Sequence, residues 1–234
     1  MLRQAAFWLL LPLSAAQGLW VKHRARRLPG ATGERRGASG HGEILHLLAI
    51  GDSIIDGVGT ESMEQALPVL FAQALAEEMQ KQVRWHVAGE SGLDVSGLLQ
   101  QLDVLDGEAA DFILISIGVN DVTGLSSKNH WRRSVSLLME RLHRRWPDAR
   151  IVLAGLPPMS KFPLPPQPLR FTLGIRAAAL DSIAADLSTA WPRVSHVPTL
   201  IDPRIHTFCE DGFHPSVDSC QNWAEQLARI ATQP

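Results

Sequence analysis

Ile44-Leu45-His46-Leu47-Leu48-Ala49-Ile50-Gly51-Asp52-Ser53-Ile54 is the stretch on which the reading of the fold turns. An almost wholly apolar run stops at a glycine, the pattern of a short strand buried on both faces. Val83–Ala88, Phe112–Ile117, Ile151–Ala154 and Val194–Val197 have the same character. Between them, patterns at helical spacing fall at about 64–80, 94–105, 130–146 and 173–190, with a last one at about 216–231. Strand–helix alternation of this kind predicts a parallel sheet with helices on both faces. No internal repeat and no second-domain boundary is visible. In such sheets ligands bind beyond the carboxyl ends of the strands. Ser53 follows the first strand, Gly92 the second and Asn120 the third, while Asp211 and His214 follow the fifth.

Ser53 and the segment Asp211-Gly212-Phe213-His214-Pro215 carry the chemistry. A serine hydroxyl is a poor nucleophile until a base takes its proton, and a histidine serves as that base when a third group fixes its tautomer. Asp211 stands three residues before His214, so one loop can present both. These residues point to a serine hydrolase. Plainer roles exist for each: a helix cap for Ser53, a turn for Asn120 or Gly92, a loop ion pair for Asp211 and His214. Asp52 and Asp121 read as hydrogen-bonding scaffold.

After the fourth strand runs Leu156-Pro157-Pro158-Met159-Ser160-Lys161-Phe162-Pro163-Leu164-Pro165-Pro166-Gln167-Pro168-Leu169-Arg170-Phe171. Its prolines keep it out of helix and sheet, and its place in the chain sets it over the same rim. Met159, Phe162 and Leu164, with Leu169 and Phe171, are expected to wall a substrate pocket together with Phe213; the alternative is a surface loop anchored by its apolar residues.

Four short blocks make the chain resemble the SGNH (GDSL-type) hydrolase family. Gly51-Asp52-Ser53-Ile54 looks like its first block, with Ile54 in place of the usual leucine. Ala88-Gly89-Glu90-Ser91-Gly92 is similar to the second, with Val87 where an asparagine is often found. Gly118-Val119-Asn120-Asp121 resembles the third, with Val119 where glycine is common. Asp211-Gly212-Phe213-His214-Pro215 matches the fifth. The resemblance covers residues 44–231. It implies a flavodoxin-like three-layer α/β/α sandwich around a central five-stranded parallel sheet. It also implies an esterase in which Ser53 attacks, His214 is the base and Asp211 orients it. The backbone N–H groups of Ser53 and Gly92 and the amide of Asn120 would receive the oxyanion. The expected substrate is a small ester or acyl lipid; carbohydrate or cell-envelope deacetylation and a non-catalytic, membrane-displayed binding module are the alternatives.

Composition narrows the field further. The chain has 234 residues, 45% hydrophobic and 20% charged, which suits one sizeable α/β domain with an extension. Residues 1–43 carry a net +5, so with a chain total of −2 the remainder carries −7. An acidic body is not a nucleic-acid binder. No G-x-S-x-G elbow surrounds Ser53 and no phosphate-binding loop is present. His46, His86, His143, His196 and His206 lack a metal-ligand spacing, and neither metal nor organic cofactor is called for. Cys209 and Cys220 are expected as free thiols, with a single bridge between them as the alternative.

Residues 5–21, AAFWLLLPLSAAQGLWV, hold no charge and are followed by Lys22-His23-Arg24-Ala25-Arg26-Arg27. Residues 1–27 read as a membrane anchor whose basic flank keeps the body cytoplasmic. A cleaved export signal, with Ser14-Ala15-Ala16 as the site, and a peripheral membrane-surface segment are the other readings. Residues 28–43 are expected to be a flexible linker, with the hydrolase domain spanning 44–234.

Overall fold

The computed structural model describes residues 2–24, 26, 28–105, 107–199 and 207–233, with residues 2–9, 11 and 22 described for their backbone alone. Its elements are α1 (Leu2–Arg24), β1 (Arg36–Ser39), β2 (Ile44–Gly51), α2 (Leu67–Met79), β3 (Gln82–Gly89), α3 (Val95–Gln101) and β4 (Phe112–Ser116). Then come α4 (Val119–Thr123), α5 (Lys128–Arg145), β5 (Arg150–Ala154), α6 (Leu169–Ser188), β6 (Val194–Val197) and α7 (Val217–Ala231). The sheet order is β1-β3-β2-β4-β5-β6, parallel from β3 to β6. The five parallel strands thus have the flavodoxin-like order, whose ligand crevice opens where β2 lies between β3 and β4.

Period-two side-chain alternation builds two cores from the same strands. Leu48, Ile50, Ile113, Ile115, Ile151 and Leu153 pack with residues of α3, α5 and α6. Leu47, Ala49, Phe112, Leu114, Val152 and Ala154 pack with α2 and α7. Central strands therefore read as unbroken apolar runs, because neither face meets water. Trp131 of α5 is buried and its indole N–H donates to the Leu180 carbonyl of α6 at 2.8 Å. Helix starts are set locally: Asp94, Ser127 and Ser216 accept backbone N–H groups at the heads of α3, α5 and α7.

The expected three-layer sandwich is present, with one strand more than the five foreseen. β1 pairs antiparallel with β3, Gly37 opposite Trp85. Residues 28–43 are therefore not a plain linker. The Arg35 carbonyl accepts the Val87 N–H at 2.8 Å, and the Arg35 guanidinium holds Asp56 at 2.7 Å. Gly37 belongs there because a Cβ would sit 2.2 Å from the Trp85 ring. A strand of Arg, Gly, Ala and Ser has no apolar run to announce it; its warrant is the open edge of β3.

Residues 5–21 lie within α1, which packs along α6. Among the described residues no helix is long and apolar enough to cross a membrane.

If β1 is integral, a chain begun at Ile44 should be less stable than one begun at Leu28. Uncovering Trp85 and the β3 edge should cost roughly 2–4 kcal/mol, read as a lower urea midpoint; equal midpoints would restore the tether.

Candidate active site

β2 ends at Gly51, whose φ is +148° and where a Cβ would lie 2.0 Å from the Ser116 carbonyl oxygen of β4. The Asp52 N–H donates to that same oxygen at 3.0 Å. Ser53 follows in a turn closed by Val58 N–H to the Ser53 carbonyl at 2.9 Å. The next α-helix, α2, begins at Leu67, so the Ser53 hydroxyl caps no helix. Its partner is His214, whose Nε2 lies 3.1 Å from Ser53 Oγ.

The segment 207–216 is a tight hairpin. Phe208 bridges Pro215, Cys209 N–H donates to the His214 carbonyl at 2.8 Å, and Gly212 N–H donates to the Cys209 carbonyl at 2.9 Å. Asp211 Oδ2 lies 2.6 Å from His214 Nδ1, while its Oδ1 accepts the N–H groups of Phe213 at 2.9 Å and His214 at 3.0 Å. Burial by itself would raise this carboxyl, but the bonds from the His214 ring and the two backbone N–H groups outweigh it and hold Asp211 below the usual range. The donors leave Asp211 an anion facing Nδ1, which fixes the tautomer with Nε2 free to accept a proton from Ser53. Aromatic packing sets the ring plane: Phe213 meets His214 at 5.4 Å and Phe162 meets Phe213 edge-on at 5.1 Å.

Because β2 lies between β3 and β4, the loops after those strands flank the Ser53 turn. They bring Gly92 and Asn120 to the same rim. Asn120 heads α4, and its Nδ2 donates to the Leu93 carbonyl at 2.8 Å; the second hydrogen on that nitrogen is left for another acceptor. Asp121 is fully buried, accepting from the Val95 N–H at 3.0 Å and the Ser126 hydroxyl at 2.9 Å. It ties α4 to the head of α3, the scaffold role foreseen for it. Gly92 has φ +95°, and a Cβ there would meet no protein atom. Glycine is needed at 92 for its backbone conformation, and the protein around it would leave a Cβ room.

Beside Ser53 and His214 opens a cavity of ≈ 160 Å³. Ile54, Ile117, Val119, Leu156, Phe162, Phe208 and Phe213 give it an apolar side; Ser116, Thr199, Ser219, Asn222 and Gln226 give it a polar one. Of the wall residues expected from the sequence, Phe162 and Phe213 line it. Met159 does not, being sealed in the core at 0% exposure. Leu164 does not line it either, its N–H being used at 3.1 Å on the Gly212 carbonyl. Leu169 is core and Phe171 faces outward. The proline-rich segment thus walls the cavity through Leu156, Pro157 and Phe162, while Met159 and Leu164 hold it down. Ser219, Asn222, Trp223 and Gln226 were missed. Their i, i+3, i+4, i+7 spacing on α7 was the available signal, read only as an amphipathic helix.

Cys209 and Cys220 are free. The Cys209 sulfur lies 3.2 Å from the Gly59 carbonyl and 3.0 Å from that of Pro215. Burial, then the Asp211 and Glu210 carboxylates, push its thiol up to about 11. It is a packing group of the hairpin. His46, His86 and His196 pair with Asp111, Glu108 and Asp181, the His143 ring lies tilted against Trp191, and His206 lies outside the described residues. Among the described residues no three His, Cys, Asp or Glu side chains gather to hold a metal ion.

Comparison with known proteins agrees with this fold. The model of the GDSL-like lipase/acylhydrolase family matches residues 49–221. The solved lipase Lip_vut3 from a goat rumen metagenome is 21% identical, with a TM-score of 0.68 over 80% of this chain and 97% of its own. The acetylxylan esterase Axe2 from Geobacillus stearothermophilus is 20% identical, with a TM-score of 0.60 over 83% and 96%. TesA is 22% identical, with a TM-score of 0.61 over 81% and 98%. At these identities the likeness is one of fold. No curated protein sequence is significantly similar to the chain.

Asp52 is 1% exposed, and burial pushes its carboxyl up to about 7 against the pull of the Ile54 N–H and of His214. A carboxyl raised on folding takes up a proton between its unfolded value near 4 and about 7, so stability falls as pH rises through that window and is level above it. Asp52→Asn should remove this slope, a difference of roughly 4 kcal/mol at most. Urea unfolding of both proteins from pH 4 to 8 reads it, and an unchanged slope would assign the effect elsewhere.

Proposed function

Since the chain belongs to the GDSL-like lipase/acylhydrolase (SGNH) family, we propose that it is a serine esterase working through an acyl-serine intermediate. The observation that carries the reading is the continuous chain Ser53 Oγ, His214 Nε2, His214 Nδ1, Asp211 Oδ2, with steps of 3.1 and 2.6 Å, opening onto a largely apolar cavity. His214 takes the Ser53 proton as Oγ adds to the ester carbonyl, and gives it to the alcohol as the C–O bond breaks. Water repeats the sequence on the acyl-serine, returning Ser53 and releasing the acid. Asp211 stabilises the imidazolium formed in between. The Ser53 and Gly92 N–H groups and the second hydrogen of Asn120 Nδ2 are the proposed oxyanion donors, with Phe162 and Phe213 as the substrate-facing wall.

The cavity speaks for the substrate. A dry cavity of about 150 Å³ takes a benzene-sized group, so the 160 Å³ here suits a short or medium acyl chain lying on Phe162, Phe208 and Phe213. Ser219, Asn222 and Gln226 favour a second reading, removal of acetyl groups from a carbohydrate, because they offer polar partners on the same cavity.

A chromogenic ester series from acetyl to long chain, run with the full chain, separates these readings. Hydrolysis should peak at roughly four to eight acyl carbons and vanish in Ser53→Ala. Asn120→Ala should lower kcat by about 10²–10³, and Asp211→Asn by about 10⁴ through loss of the correct tautomer. A sharp preference for acetyl would favour the deacetylase. Folded protein inactive on every ester, like its Ser53→Ala variant, would point to a binding module.

A further inference from the structure

The helix α1 is turned the wrong way round for a helix in water. Its side chains at Pro12, Leu13, Ala15, Ala16, Leu19 and Trp20 are exposed, Leu13 to 55%, Leu19 to 64% and Trp20 to 54%. At 100° per residue these six positions fill an arc of about 160° with no polar group between residues 12 and 20; the exposed His23, near the end of the helix, lies on the same arc. The opposite arc, which faces the body, holds Ser14 and Gln17 beside Leu10 and Val21, the latter packed against the core. Gln17 Nε2 donates to the Gln167 carbonyl at 2.8 Å and its Oε1 accepts the Leu169 N–H at 3.0 Å. Ser14 is 2% exposed. A helix that merely decorated a soluble protein would bury its leucines and show its glutamine and serine to solvent.

What covers the outer arc must be apolar at the helix and anionic beyond its end. The sequence after residue 21 carries four Lys/Arg and one His between 22 and 27. His23 and Arg24 are exposed, and Arg24 lies over the Trp20 ring at 5.4 Å from its centre. An aromatic ring with a cation above it, at the boundary between an apolar arc and a basic end, fits the border between acyl chains and headgroups. A second copy of α1 would supply the apolar match but would bring basic charge in place of acidic.

We propose that α1 lies flat on an anionic lipid surface, its outer arc set into the interfacial layer and its basic end on the headgroups. The posture also orients the body. Gln17 grips the end of the loop that contributes Phe162 to the cavity wall, and Arg26 pairs at 2.6 Å with Glu210, the neighbour of Asp211. The loop that walls the cavity and the hairpin that carries His214 are thereby each tied to the lipid-facing segment, the first through α1 itself and the second just beyond its end. The binding itself stands on the face of α1 and does not require the esterase reading.

Sedimentation of the full chain with vesicles tests it. Binding is expected to vesicles of phosphatidylcholine with phosphatidylglycerol, to weaken sharply with phosphatidylcholine alone, and to be reversed by high salt. Leu13→Ser with Trp20→Ser should abolish binding, and Arg24→Glu should weaken it about fivefold or more; all three positions are exposed, and unchanged thermal midpoints verify the fold. Equal binding by the Leu13/Trp20 variant would overturn the proposal. So would a lipid-free dimer that the same variant converts to monomer, which would give the face to a second copy. Protein that resists both salt and alkaline extraction would also overturn it, in favour of a span. Each readout is independent of ester hydrolysis, so inactivity on esters leaves this test intact.

Discussion

The carbonyl of Ser116 sits where a side chain at residue 51 would go, and the site grows out from that contact. With no Cβ at Gly51, β2 can close against β4 and turn at once, the Asp52 N–H landing on the same oxygen. That turn leaves the Ser53 hydroxyl at the switch point of the sheet, between the loops that follow β3 and β4. Any residue but glycine at 51 would push the strand end away and move the hydroxyl with it. Placement of the proposed nucleophile is thus a steric consequence of two neighbouring strands.

The other half of the site is held by a different balance. Asp211 is almost fully buried, which penalises its charge, yet three donors keep it ionised. A short hairpin can do this because two of those donors are its own backbone N–H groups, and the third is the ring it must orient. Asp52, buried nearby, receives one backbone N–H and is pushed the other way. Two carboxyls close to one histidine are thereby separated: one is an anion at neutral pH and the other is near its midpoint.

Where the sequence was hard to read, the reason was that the informative contact lies elsewhere in the chain. β1 has the composition of a linker and becomes a strand only because β3 would otherwise present a bare edge. Met159 and Leu164 looked like pocket residues through their loop's composition. The loop's anchoring turned them into the core and toward Gly212, leaving Phe162 to face the cavity. The polar stripe of α7 had a visible period, but what its face would meet depended on where the β5 and 207–216 segments ended in space.

The sequence by itself determined the layers. Apolar runs of four to eight residues closed by turn residues read as strands buried on both faces through their length and flanks, and the longer segments at helical spacing between them read as covering helices. It also put forward Ser53, Asp211 and His214 as candidates, because acyl transfer at a serine needs those residue types and the loop spacing allowed two of them to meet. The tertiary structure decided distances and directions: that Nε2 lies 3.1 Å from Oγ, that Asn120 uses one amide hydrogen on Leu93, and that α1 shows its apolar side outward. Those depend on contacts between segments far apart in the chain, and a hydrogen bond or an exposed face exists only once both partners have been placed.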